Sequence, residues 1–119
     1  MKLITAYIRP ERLNAVKKAL YAKDIFSMTV TNVLGSGRQK GFVETYRGLP
    51  VEVTLLKKIR LEIGVNEDFV DAALDAITEG ARTGAEGDGV IFVTEITRSL
   101  RIRTGETDIA AVAATRDVA

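Results

Sequence analysis

Two segments carry the residue types best suited to chemistry: Arg82-Thr83-Gly84-Ala85-Glu86-Gly87-Asp88-Gly89 and Arg101-Ile102-Arg103-Thr104-Gly105. Glycines let backbone N–H groups close around an anion, because no Cβ holds them off and positive φ costs little. Arg101 and Arg103, as alternate residues of a strand, point the same way and can grip one phosphate chain together. The combination suits a polyphosphate. Each part also has a plainer reading. Asp-Gly is an ordinary turn signal, and alternate charges are commonly a solvated strand face.

The rest of the composition narrows the chemistry. The 119 residues make one domain, 1–119, with enough apolar content (46%) for a modest core. A net charge of +1 gives no general attraction to nucleic acid or to an anionic membrane. There is no cysteine, which removes disulfides and thiol catalysis and fits a reducing, cytoplasmic setting. There is no histidine, so the commonest general base and zinc ligand are missing. The start, Met1-Lys2-Leu3-Ile4-Thr5, lacks the long apolar run of a signal peptide or membrane span.

The elements that must position these residues can be read from hydrophobic spacing. In residues 2–8, Leu3, Thr5 and Tyr7 face one way and Ile4, Ala6 and Ile8 the other, which predicts an inner strand. Pro10 suits a first helical turn, and Leu13, Val16 and Leu20 continue at helical spacing. Residues 27–34 are rich in β-branched types and predict a second strand. Residues 35–56, interrupted by Gly35, Gly37, Gly41, Gly48 and Pro50, predict a long loop, and such loops are usually functional or mobile.

Clean alternation returns at 58–65, with Ile59, Leu61, Ile63 and Val65 on one face and Lys58, Arg60 and Glu62 on the other. Asn66 is an N-cap candidate ahead of the acidic turn Glu67-Asp68. Phe69, Val70, Ala73, Leu74 and Ile77 form a helix stripe that Gly80 should stop. Strands follow at Val90 to Glu95 and, briefly, at Ser99 to Arg103, before an alanine-rich tail from Asp108 with at most a helical turn. The order β-α-β, long loop, β-α-β predicts an α+β, ferredoxin-like split βαβ fold with a short C-terminal strand. Two helices cover only one sheet face, so the other is solvated or buried by a partner, and the apolar inner strand favours an oligomer.

At this point the chain resembles the PII nitrogen-regulatory signal proteins, from Met1 to about Asp108. The resemblance is carried by Met28-Thr29-Val30-Thr31, Gly35-x-Gly37-Arg38-Gln39-Lys40-Gly41, Tyr46-Arg47-Gly48, Lys58, Glu62, Thr83-Gly84-x-x-Gly87-Asp88-Gly89 and Arg101-Ile102-Arg103-Thr104-Gly105. It implies a homotrimer that binds ATP or ADP in clefts between subunits and 2-oxoglutarate beside Mg-ATP. It also implies a loop, about 37–55, that docks on an ammonium transporter or a metabolic enzyme. A regulator rather than an enzyme is expected.

By that resemblance, Thr83, Gly87, Asp88, Gly89, Arg101 and Arg103 belong to the phosphate site, while Gly37 and Arg38 are ligand-binding positions at the base of the loop, where backbone around Arg38 to Gly41 should wrap the ligand. Thr29 and Glu62 match the nucleoside-end contacts, although Glu62 also reads as a polar-face residue paired with Arg60 or Lys58. Gln39 matches the magnesium ligand and Lys58 a contact to the 2-oxoglutarate carboxylate. Magnesium's preference for oxygen and substrate phosphates agrees. Tyr46 and Arg47 match partner-binding positions, Arg47 reaching into a transporter mouth; a solvent-exposed arginine is the alternative.

Departures from the family pattern matter equally. Val51 and Leu49 stand where relatives carry a modified tyrosine or serine, so neither modification has its hydroxyl here. Val90 and Ala85 replace lysines near the glycines. A charge-assisted contact is worth about 1–3 kcal/mol, so the loss of the cation at position 90 is expected to weaken ATP or alter its preference over ADP. The alternative reading is a divergent adenine-nucleotide sensor without 2-oxoglutarate. An RNA-binding module would want exposed sheet aromatics and a basic face, against which 6% aromatics and a charge of +1 argue.

Overall fold

The alternation at the N-terminus becomes strand β1 (Lys2–Ile8), whose Ile4, Ala6 and Ile8 are buried and whose Leu3, Thr5 and Tyr7 face the other way. The computed structural model describes residues 1–36, 42–46, 49–53, 55–108 and 112, with the backbone alone at 42–46 and 49–53. The residue after β1, Arg9, is held extended (φ −66°, ψ 138°) by the ring of Pro10. A 3-10 turn, Pro10–Arg12, then leads into helix α1 (Leu13–Ala22), which buries Val16 and Leu20. Strand β2 is Thr29–Gly35.

The region read as a long loop contains a hairpin, β3 (Phe42–Tyr46) paired antiparallel with β4 (Leu49–Val53). Period-two signals are weak there because glycines and a proline break the pattern. Strand β5 (Leu56–Val65) starts two residues earlier than its alternation predicts. Helix α2 is Glu67–Ala81 and strand β6 is Gly89–Glu95.

The main sheet has the order β2-β5-β1-β6, antiparallel throughout. Two β-α-β units thus interleave, with β5 between β1 and β2, as the split arrangement requires. The core lies between helices and sheet, where Ile4, Ile8, Leu20, Leu61, Ile63 and Ile77 are fully buried. The opposite face carries Tyr7, Lys58, Arg60, Glu62, Val90 and Phe92 and has no element of this chain over it among the described residues.

Gly80 does not stop α2, which runs on to Ala81. Its value is close approach: a Cβ there would stand 2.6 Å from Val16 Cα and 2.7 Å from Val16 N. Arg12 Nε donates to Gly80 O at 2.8 Å, satisfying one of the last carbonyls of α2 from the start of α1. Asn66 has the extended backbone of an N-cap, and its carbonyl accepts from Phe69 N at 2.9 Å. No side-chain capping bond is made there, so the cap acts through the backbone and the acidic first turn.

The strand expected at Ser99 to Arg103 is reduced to one bridge, Leu100 with Thr107. Between them the chain turns tightly: Gly105 N donates to Arg101 O, and Arg101 N to Glu106 O, both at 2.8 Å. Gly105 takes φ 74°, which favours this turn over a continuing strand. In the tail, Val112 N donates to Asp108 O at 3.3 Å, a single helical bond; 109–111 and 113–119 lie outside the described residues. Among the described residues no helix is long and apolar enough to cross a membrane.

Candidate anion-binding site

The site is built by strand register. Ile8 of β1 pairs with Ile59 of β5 on one side and with Gly89 of β6 on the other. β1 leaves the sheet where β5 and β6 enter it. The next residues outward are therefore Arg9, Lys58 and Asp88, three charged groups from distant parts of the chain gathered at one sheet end.

Asp88 closes the glycine loop upon itself. Its carboxylate accepts from Thr83 N and Gly84 N, each at 2.8 Å, from the Thr83 hydroxyl, and from Arg9 Nε at 3.1 Å. The Thr83 hydroxyl and amide, with the Gly84 amide and Arg9, hold the Asp88 carboxyl well below the usual carboxylate range. Arg9 Nη2 also donates to Glu86 O, and Lys58 Nζ donates to Gly87 O at 2.7 Å. Partial burial, then the neighbouring Arg9 guanidinium, pull the Lys58 ammonium below its ordinary value. Gly84, Gly87 and Gly89 take φ of 90°, 93° and 111°, so the turn is open to glycine and costly to other residues.

One hollow borders this loop and a second lies beyond Lys58. A shallow cleft of about 200 Å³ is lined by Ile77, Ala81, Arg82, Asp88, Gly89 and Val90 among others. A wider groove of about 480 Å³ runs past Pro10, Asn32, Val33, Leu34, Lys57 and Lys58. Lys58 thus stands between the glycine loop and the groove beside β2.

Thr29 and Glu62 are direct cross-strand partners in the β2–β5 ladder. Four residues separate Glu62 from Lys58 on the same face of β5, about 13 Å at strand rise. Glu62 is paired with Arg60 at 3.4 Å, the plainer of the two readings of its sequence, while remaining partly exposed.

The arginines fall elsewhere. Ser99 Oγ contacts Met1 Sδ at 3.1 Å, and Ile96 N donates to Met1 O, which pins the 99–108 turn to the start of β1. The glycine loop is at the other end of that strand, where Gly89 pairs with Ile8. Seven strand residues span roughly 23 Å. Within one chain, Arg101 and Arg103 therefore do not share a ligand with the glycine loop. Nor do they point the same way as alternate strand residues, because Arg103 lies in the turn.

A family model described as "Nitrogen regulatory protein P-II" matches residues 1–106. The chain belongs to that family. It is 50% identical over 108 residues to a nitrogen regulatory protein P-II of Rhizobium etli, covering 91% of this chain and 96% of the relative. It is likewise 50% identical over 112 residues to the P-II protein of Klebsiella oxytoca and to P-II 1 of Escherichia coli, covering 94% of this chain and all of each relative. P-II proteins are regulatory signal proteins rather than enzymes, and a regulatory role follows for this chain.

Of the residues the P-II resemblance singles out, the fold groups Thr83, Gly87, Asp88, Gly89 and Lys58 at one sheet end. Thr29 and Glu62 form a second point on the same sheet, and Arg101 and Arg103 a third at its far end. Gly37, Arg38, Gln39 and Arg47 lie outside the described residues. Tyr46 closes the hairpin opposite Leu49, and Val51 pairs with Glu44. Sequence reasoning missed Arg9. No local motif marks it; the signal lies in the register, which places the residue after β1 beside the residue before β6.

Proposed function

We propose that this P-II protein is a trimeric sensor of nitrogen and energy status. ATP or ADP binds in clefts between copies, and 2-oxoglutarate binds beside Mg-ATP. The segment 37–55 carries the signal to an ammonium transporter or a metabolic enzyme in the cytoplasm. The observation that carries this reading is the separation of the two anion-binding elements along β1. A glycine loop at one end and an arginine pair at the other can act on one polyphosphate only if two copies supply one each. The sheet face bearing Tyr7, Val90 and Phe92, exposed in the single chain, is suited to bring copies together.

The residues present fit a nucleotide. A Cβ on Gly84 would meet nothing within 4 Å, so the loop presents open space to a ligand. Thr29 and Glu62 lie about 13 Å from Lys58 along the sheet and offer a hydroxyl and a carboxylate to a nucleoside. Thr83 N and Gly84 N are engaged by Asp88, so phosphate contacts fall to the N–H groups after Glu86. When bound, the nucleotide phosphates would carry magnesium oxygen ligands into the site. Lys58 would meet a ligand carboxylate only by sharing or leaving Gly87 O.

That contact favours one second reading, an adenine-nucleotide sensor without 2-oxoglutarate. Val90 and Ala85, which bring no cation to the loop, point the same way. Calorimetric titration of ATP and ADP, with and without Mg²⁺ and 2-oxoglutarate, separates the two. Binding of 2-oxoglutarate dependent on Mg-ATP supports the first reading. Nucleotide binding with no 2-oxoglutarate heat under any condition supports the second, and absence of any nucleotide binding defeats both.

A further inference from the structure

We propose that Arg9 is a positioning residue of the anion site, turning the N–H of Gly87 outward to meet a phosphate. The inference rests on the nucleotide reading but is argued from the loop itself. A trans peptide is planar, with its C=O and N–H pointing in opposite directions. Arg9 Nη2 draws Glu86 O toward the sheet end, so the N–H of the same peptide, that of Gly87, points away from it. Lys58 Nζ does the same to Gly87 O at 2.7 Å, which turns the N–H of Asp88 away from Lys58. Two consecutive N–H groups directed away from their cation-held carbonyls form the kind of backbone nest that receives an anion.

Arg9 suits this task better than Lys58. Its fork reaches two acceptors at once, Nε to Asp88 Oδ1 at 3.1 Å and Nη2 to Glu86 O. Its backbone is fixed by Pro10 on one side and by β1 on the other, and its side chain is largely buried (14% exposed). Asp88, the other end of the contact, ties the same guanidinium to Thr83 and Gly84. Arg9 turns its Nε and Nη2 to the loop itself, to Asp88 and Glu86. It acts by holding the loop in its receptive form before a ligand arrives.

The test compares amide hydrogen exchange in wild type, Arg9→Gln and Arg9→Lys, with Lys18→Gln on the exposed side of α1 as a control for lost charge. Arg9→Gln is expected to raise exchange of the Thr83 and Gly84 amides, which Asp88 holds, about tenfold or more, the effect of losing charge-assisted contacts to the loop, while α1, α2 and the sheet keep wild-type protection. Arg9→Lys should fall between, since an ammonium keeps the charge and lacks the fork. ADP affinity should fall in the same order, with Lys18→Gln unchanged. Wild-type exchange in the Arg9→Gln loop overturns the proposal. So does equal loss of protection throughout the sheet, which would make Arg9 a residue of the fold. If Arg9→Gln does not fold, Arg9→Lys carries the same comparison. If wild type itself binds no ADP, the nucleotide reading fails, while the exchange ranking, which needs no ligand, still decides whether Arg9 holds the loop.

Discussion

A Cβ placed on Gly89 would stand 1.7 Å from the carbonyl oxygen of Tyr7. The backbone of β1 and the entrance to β6 approach so closely there that only hydrogen fits. Gly89 also takes φ 111°, a region L-residues avoid at a cost of about 1–2 kcal/mol. Gly89→Ala is therefore expected to destabilise the fold by roughly 2–5 kcal/mol, strain and clash together. Urea unfolding measures this. A change below about 0.5 kcal/mol, the ordinary scale for surface substitutions, would mean the strand ends relax freely.

At Gly80 two effects of opposite sign compete. Alanine is favoured over glycine in a helix by about 0.8–1 kcal/mol. Against that, the new methyl would meet Val16 Cα at 2.6 Å and Val16 N at 2.7 Å, backbone atoms that cannot rotate aside. Overpacking of this kind costs about 1–3 kcal/mol, so Gly80→Ala should be net destabilising by up to about 2 kcal/mol. Thermal melting reports the sign, and a stabilised variant would show that α1 and α2 can move apart at little cost.

Those two glycines also show which parts of the molecule the sequence makes legible. Alternation at Ile59, Leu61, Ile63 and Val65 and the helical spacing of Val16 and Leu20 place the core correctly, because burial imposes those periods directly. Gly80 reads as a helix stop and Gly89 as a turn, yet both positions are set by an approaching backbone that no local pattern encodes. The same holds for the site. Gly87, Asp88 and Gly89 are visible as a loop, whereas Arg9 belongs to it only through the pairing of Ile8 with Gly89. Arg101 and Arg103 fail as alternate strand residues because Gly105 and the Leu100–Thr107 bridge turn the chain instead. The hairpin strands of Phe42–Val53 are hidden by Gly48 and Pro50.

Asp88 sets the pH response of the glycine loop. Its carboxyl is held below the usual range, first by the Thr83 hydroxyl, so the folded chain binds that proton less readily than the unfolded one. A depressed folded pKa contributes stability that is present above the unfolded value, about pH 4, and is lost as pH falls through the folded value. The loop should therefore keep its neutral-pH form below pH 4, where free aspartates are already protonated. Amide shifts of Thr83 and Gly84, followed by NMR from neutral pH downward, should hold steady through that range. In Asp88→Asn they should differ at neutral pH, since an amide cannot accept the same set of bonds as a carboxylate. A midpoint near pH 4 in wild type would contradict the hydrogen-bond assignment.

In the proposed trimer, Phe92 is a side chain that would help cover the open sheet face. It is 53% exposed and packs edge-on against Tyr7, with ring centroids 6.4 Å apart. Val90 lies on the same face, 47% exposed, in a position where a lysine would keep the face wet. Burying the exposed half of such a side chain between copies contributes about 1–1.5 kcal/mol per chain, and leaving a carboxylate in its place opposes association. Phe92→Asp should leave the helix-covered core intact, because Ile4, Leu61 and Ile77 lie on the opposite face. If copies associate through this face as proposed, it should also shift the protein from trimer to monomer in sedimentation equilibrium. On the proposed reading, nucleotide binding should fall with the trimer, because that reading has the glycine loop of one copy share its ligand with the arginines of the next. A variant that stays trimeric, or a monomer that binds ADP at wild-type affinity, would mean that the two ends of β1 do not act on one ligand.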